Sequence, residues 1–400
     1  MAQPIFISGL GMISAIGNNV SEAYVNLSNA KTGIGKVNYL NTRYKDEFVL
    51  GEVKLSNEQL MDLISYHSPA LNRTSLLGIA AANEAVKHSG IDLKDGLRTG
   101  LISSTTVGGM CKTELFYGEM VNEGKHLEVL DSHDAGESTE EIADHLGIKD
   151  FVTTISTACS SAANAIMLGS RMIKHGMLDR VIVGGVDSLS KFTFNGFNTL
   201  MILDKEWCKP FDENRKGLNL GEAGAYLVIE SETSLKKRNG KALAKVVGYA
   251  NSNDAYHQTA SSPDGIGATT AIQQALKMSG LAPSQIDYIN MHGTGTPNND
   301  QSESKATINV FGNNVPKFSS TKAYTGHTLA AAAGVEAVIS VLSLQHNKIF
   351  PNLNFTTPIN EFGLVPVTKV TDQNLNHVLS NSFGFGGNCS SLIFRIVNEG

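Results

Sequence analysis

Short apolar runs alternate along the chain with longer stretches in which apolar residues recur at helical spacing. Residues 5–10, 99–103, 151–155, 181–183, 226–229, 245–249, 288–291, 317–319 and 391–396 read as strands. Residues 74–88, 161–175, 269–279 and 329–345 read as helices. Alternation of this kind predicts α/β layers rather than a sandwich. The two parts of the chain rhyme. Residues 151–155 lead through a turn into a helix of small residues near Cys159, and residues 317–319 do the same near His327. Such helices can pack closely and be buried on all sides. The polar stretch 231–241 is the best boundary between them, giving halves at 1–240 and 241–400.

Composition narrows the field. The chain has 400 residues, 41% hydrophobic, with 39 glycines that punctuate the apolar runs and a net charge of −6. That excludes general disorder, and the absence of a Lys/Arg run gives no reason to propose a nucleic-acid groove. The 18% of charged residues lies below the usual ~25%, as when part of the surface is covered in an oligomer. The four cysteines, at 111, 159, 208 and 389, form no CxxC and no disulfide framework. No basic signal-peptide region opens the chain, and the apolar stretch 329–344 carries Glu336 and is too short to span a bilayer. A cytoplasmic protein that does not engage a membrane is expected.

Three residues could carry chemistry. Cys159, in Thr-Ala-Cys-Ser-Ser, sits between a strand and a small-residue helix, where the helix dipole favours a thiolate. His292 ends a strand and precedes Gly-Thr-Gly-Thr-Pro. His327 ends Thr-Lys-Ala-Tyr-Thr-Gly-His before the alanine-rich helix, where a helix N-terminus keeps imidazole neutral and able to donate. Metal binding is the rival use, but no HExxH or CxxC spacing supports it, and no metal is expected. Near the C-terminus Asn-Ser-Phe-Gly-Phe-Gly-Gly (381–387) precedes a strand rather than a helix. Backbone N–H groups offered to a developing oxyanion suit that loop better than a phosphate cradle.

These stretches, with Ile-Ser-Gly-Leu-Gly at 7–11 and Pro-Phe-Asp-Glu-Asn-Arg-Lys-Gly at 210–217, resemble the elongating β-ketoacyl-acyl carrier protein synthases. These are condensing enzymes of the thiolase-like superfamily, and the likeness covers nearly the whole chain. It implies an α/β, thiolase-like five-layered α-β-α-β-α fold made of two similar halves. By the family pattern Cys159 is the nucleophile that accepts an acyl chain from acyl carrier protein. His292 and His327 hold malonyl thioester and assist its decarboxylation, and the carbanion extends the acyl chain by two carbons. The resemblance further implies Cys159 and Phe385 as backbone oxyanion donors and a Lys322–Glu303 charge pair that orders the site. It makes Thr294, Thr296, Phe383 and Val107 substrate-binding positions, Phe383 and Phe385 forming a gating loop. It implies no bound cofactor, phosphopantetheine arriving on the acyl carrier protein, and a homodimer or a heterodimer with a related subunit.

The sequence departs from the family pattern in three places. Residues 131–143 are acidic and polar where an apolar, proline-containing segment is usual, and residues 192–203 also differ from the common housekeeping form. Residues 61–72, aligned with a basic carrier-docking helix, contain no Lys or Arg, which shifts docking to Arg73, Lys205, Lys209 and Lys216. The expectation is a specialised synthase, for instance one elongating a polyene or aryl-primed chain. A non-catalytic chain-length-factor-like subunit is the alternative from another class, although such subunits usually lack the nucleophile. A thiolase-type CoA acyltransferase would need a second cysteine, and Cys389 follows the glycines where thiolases place theirs before them.

Overall fold

The computed structural model describes residues 3–397. In the first half of the chain run β1 (Ile5–Ser14), β2 (Thr99–Ser104), β3 (Phe151–Ile155), β4 (Arg180–Asp187) and β5 (Ala223–Ser231). In the second run β6 (Ala244–Asn253), β7 (Tyr288–Asn290), β8 (Lys317–Ser319), β9 (Lys348–Ile349), β10 (Thr371–Asp372), β11 (His377–Phe383) and β12 (Asn388–Ile396). β9 and β10 pair apart; the other ten strands lie in the order β3-β2-β4-β5-β1-β6-β12-β11-β7-β8.

Counted within its own half, each set of five has the order 3-2-4-5-1 from its outer edge. Directions repeat too: β3, β2 and β4 are mutually parallel, as are β8, β7 and β11, and the remaining pairings are antiparallel. The copies meet where β1 and β6 pair antiparallel over Ile5–Ile7 and Ala244–Val246.

Two helices, Ser161–Lys174 and Ala332–His346, lie side by side between the half-sheets, one belonging to each copy. Their small residues permit this. Ala332 to Leu344 are all buried, and a Cβ on Gly334 would come within 2.9 Å of the Ala225 carbonyl. Outside, Arg73–Ser89 covers β1 and β5, and Ile266–Ser279 covers β6 and β12. Helix, sheet, helix pair, sheet, helix is the five-layered thiolase-like architecture that the resemblance implied. The apolar stretch once considered for a bilayer is its innermost layer, 89% buried over Leu329–His346.

The sequence pattern did not find β11 or the helix Pro297–Phe311. β11 is buried along most of its length and carries serines and an asparagine inward, so no polar face alternates with an apolar one. Pro297–Phe311 buries Asp300, Ser302, Glu303 and Ser304, which hides its helical period.

Parallel strands leave their C-terminal ends at one edge of a sheet, the usual place for a site in such folds. Cys159 follows β3, His292 follows β7, His327 follows β8 after one short turn of helix, and Gly384 follows β11.

Candidate active site

The nucleophile turn is built from its own short side chains. Ala158 is left-handed at φ 53°, reversing the chain between β3 and the helix beginning at Ser161. Ser161 Oγ accepts from Thr157 N at 2.8 Å and donates to the Ala158 carbonyl at 2.5 Å. Cys159 is thus fixed at the helix N-terminus, 6% exposed. The glycine loop seats on this turn, and a Cβ on Gly384 would lie 2.9 Å from Thr157 O and 3.1 Å from Cys159 N. The backbone N–H groups of Cys159 and Phe385 both favour the charged form of the Cys159 sulfur.

Helix-dipole reasoning favours a thiolate at Cys159; the structure reverses the balance. Burial pushes the thiol up to about 11, against the opposing pull of Lys322 and the two N–H groups. The resting nucleophile is a thiol whose proton leaves only during reaction.

His292 N and Gly293 N donate to the Glu303 carboxylate at 2.9 and 2.8 Å, pinning the turn after β7. Burial pushes that carboxyl up to about 7. Lys322 Nζ lies 3.1 Å from His292 Nδ1, donates to the His292 carbonyl at 2.7 Å, and forms a buried ion pair with Glu336. All three ammonium N–H groups are spent. Nδ1 of His292 is therefore an acceptor, and Nε2 carries the ring proton. At His327, Nδ1 accepts from Leu329 N at 3.0 Å, and Leu329 is left-handed at φ 53°. This ring also bears its proton on Nε2. Burial, then the Lys322 charge, holds both imidazoles well below the usual histidine range, so both remain neutral.

The rings stand 5.4 Å apart between centroids and nearly perpendicular, at 88°. One nitrogen of each lies within 4.8 Å of the other and of the Cys159 sulfur. Such a trio could in principle ligate a soft cation. The Lys322 ammonium hydrogen-bonded to one of its rings puts positive charge in the same place, which opposes a dication. What converges is a thiol, two N–H donors on rings and two N–H donors on backbone. That set can host a nucleophilic sulfur together with two separate developing oxyanions.

A cavity of about 290 Å³ reaches this point, lined by Cys159, His327, Thr294, Thr296, Phe383 and Phe385 among others. The two threonine hydroxyls lie 2.9 Å apart, and Phe385 stacks on Phe197 at 5.8 Å.

Two expectations are corrected. Lys322 pairs with Glu336 rather than Glu303, because Glu303 points its oxygens at backbone N–H groups while Glu336 projects from the central helix. Arg73 cannot meet a partner, being buried with Glu222 at 2.6 Å. Val107 lies in the loop after β2, where Thr105 and Thr106 bond Asp187. Cys389 lies outside the site, buried against Ala268, Ala271, Ala306 and Phe383. Sequence reasoning missed Glu336 as a site residue, although a lone carboxylate in an apolar helix was the signal.

Known proteins resemble the chain along its whole length. The family described as "Beta-ketoacyl synthase, N-terminal domain" matches residues 2–234, and "Beta-ketoacyl synthase, C-terminal domain" matches 243–356. The 3-oxoacyl-[acyl-carrier-protein] synthase 2 of Staphylococcus aureus (strain N315) is 32% identical over 411 aligned positions, covering 98% of each chain. Its namesake from Coxiella burnetii is 31% identical, again over 98% of each. Among solved structures, "The ishigamide ketosynthase/chain length factor" superposes with a TM-score of 0.94 at 29% identity, covering 100% of both chains. A chain of the structure "Ketosynthase (ApeO) in Complex with its Chain Length Factor (ApeC) from Xenorhabdus doucetiae" gives 0.87 at 32% identity, covering 99% of this chain and 98% of that one.

Proposed function

The chain belongs to the β-ketoacyl synthase family, and on that premise we propose that it condenses malonyl-acyl carrier protein with an acyl group held on Cys159. The convergence of Cys159, His292 and His327 within 4.8 Å carries the assignment. The labour divides between 1–240, with the nucleophile, and 241–400, with both histidines.

In the first half-reaction the Cys159 sulfur attacks the thioester carbonyl of an acyl-carrier. A C–S bond forms, and the carbonyl oxygen becomes an oxyanion between the N–H groups of Cys159 and Phe385. Collapse breaks the old C–S bond, and the thiol proton leaves with the carrier's phosphopantetheine sulfur. That arm travels on the partner as substrate, and Thr294 and Thr296 line its path. Splitting the transfer this way is covalent catalysis. Malonyl-carrier then enters. Its C–C bond breaks, carbon dioxide departs, and the electron pair delocalises onto the thioester oxygen, where the Nε2–H groups of His292 and His327 donate. The enolate carbon attacks acyl-Cys159, and the sulfur leaves as thiolate and regains a proton from water. The product is a β-ketoacyl-carrier two carbons longer.

Lys322 and Glu336 act on the histidines rather than on substrate. A cation at His292 Nδ1 fixes the tautomer and opposes imidazolium. Glu303 holds the turn. The intact trio favours catalysis over a chain-length-factor role, and the groups that converge with Cys159 are two imidazoles rather than a second cysteine.

The partners are acyl carrier protein and a second subunit, either a copy of this chain or a related one. β3 is a sheet edge, and Tyr117, Val121, Leu127 and Phe192, each more than half exposed, line one apolar hollow. The polar 131–143 segment supports a specialised polyene or aryl-primed substrate. The direct test supplies acyl-carrier and malonyl-carrier thioesters and looks for the extended β-ketoacyl-carrier. Wild type yields it and Cys159→Ala does not; product from both would overturn the assignment.

A further inference from the structure

Beneath the nucleophile lies a cluster of asparagines that the mechanism above does not use. Asn164 comes from the second turn of the Ser161–Lys174 helix, Asn251 from β6 and Asn388 from the first position of β12. Asn388 Oδ1 is the shared acceptor, 2.6 Å from Ser160 Oγ, 2.7 Å from Asn251 Nδ2 and 3.0 Å from Asn164 Nδ2. Asn251 Nδ2 also reaches Asn164 Oδ1 at 2.9 Å and Ser390 Oγ at 3.0 Å. Asn164 Nδ2 returns to Thr157 Oγ1 at 2.8 Å.

The chain connectivity gives this cluster a meaning. Thr157 and Ser160 flank Cys159, whose N–H is one oxyanion donor. Asn388 directly follows the glycine loop, whose Phe385 N–H is the other. The Asn388 carbonyl accepts from Gly384 N at 2.8 Å, closing that loop, and Gly384 packs on Thr157 and Cys159. Gly386 and Gly387 are left-handed, at φ 82° and 83°; Gly387 N donates to the Gly384 carbonyl at 3.1 Å and Gly386 N to the Gln258 carbonyl at 2.8 Å, so the far side of the loop is held by backbone while Asn388 holds the side facing the nucleophile. The nucleophile turn and the loop come from opposite halves of the chain, and the asparagines tie them side chain to side chain.

We propose that Asn388, through Ser160, Asn164 and Asn251, is a positioning residue that sets the separation of the two backbone donors serving the acyl-transfer oxyanion. The inference rests on the acyl-transfer reading of Cys159. Donor placement matters because a misplacement of about 1 Å can cost ~10²-fold in rate.

The test compares two reactions of the same sulfur. Acyl transfer from octanoyl-acyl carrier protein builds an oxyanion; alkylation by iodoacetamide does not. Asn388→Ala is expected to lower kcat for transfer by about 10- to 100-fold, with KM for the carrier within about threefold and alkylation within about twofold. Asn388→Asp, which keeps an accepting oxygen, is expected to recover most of the transfer rate. Asn164→Ala removes one arm of the cluster and is expected to show the same selective loss should Asn388→Ala not fold. Unchanged transfer, or transfer and alkylation falling together, overturns the proposal. Absence of any acyl adduct on wild type from octanoyl-, polyenoyl- and aryl-primed acyl carrier protein alike overturns the acyl-transfer reading beneath it.

Discussion

At the scale of single residues, protonation decides what the site can do. A thiol pushed up to about 11 is protonated at neutral pH, and its thiolate fraction grows tenfold per pH unit. Iodoacetamide alkylation of Cys159, followed by peptide mass spectrometry, is expected to climb steadily from pH 7 to 10. A plateau near the ordinary cysteine range of ~8.5 would contradict the burial argument. The histidines run the other way. Burial holds both well below the usual histidine range, so acidification through ~6.5 leaves them neutral and still donating from Nε2. Malonyl-carrier decarboxylation by Glu303→Gln, which removes the carboxyl that titrates at about 7, is expected to change less than about twofold between pH 7.5 and 6, and a loss with its midpoint near 6.5 would show that one imidazole titrates normally. Cys159, His292 and His327 were legible in the sequence because each follows a strand-like run and sits beside glycine or small residues. Their helpers were harder to read. Lys322 was found, but its partner was misassigned, since which carboxylate meets an ammonium depends on how the central helix packs.

Among elements, the Ala332–His346 helix does two jobs, filling the middle layer and carrying Glu336 to Lys322. Removing one partner of a buried pair strands the other charge at a cost of about 3–5 kcal/mol. Glu336→Ala is expected to lose stability on that scale in chemical denaturation, and a change under about 1 kcal/mol would mean the pair carries little. The glycine loop is a second such element. Gly384→Ala must push Cβ against Thr157 O, and acyl transfer is expected to slow at least tenfold, in the range of losing an oxyanion donor. Wild-type transfer rates would show that the loop does not need that close seat. The repeat of helix-after-strand was visible in the pattern because small residues and glycines mark it. β11 was not, because a strand covered on both sides carrying Ser380, Asn381 and Ser382 inward loses its alternation.

For the whole molecule, the palindromic sheet order and the layered core follow from two copies of one plan, and the family resemblance read from motifs extends to the entire chain. Surface recognition was the least legible level. Arg73 looked like a docking cation and is buried, because its meeting with Glu222, 149 residues away, is set by tertiary packing. Of the remaining candidates, Lys216 lines the cavity that reaches Cys159, and Lys205 and Lys209 flank Trp207, which is half exposed. Reversing both to glutamate is expected to raise KM for acyl carrier protein about tenfold, or ~1.4 kcal/mol, while transfer from a small acyl thioester stays within about twofold. An unchanged KM would place docking elsewhere.

The central claim is that Cys159 takes an acyl group from a carrier thioester, and intact-mass spectrometry of the protein tests it most directly. Wild type incubated with acyl-acyl carrier protein is expected to gain one acyl mass, carried on the Cys159 peptide and absent from Cys159→Ala. An acyl mass that persists in the variant, or none on wild type from saturated, polyene or aryl-primed donors, would contradict it.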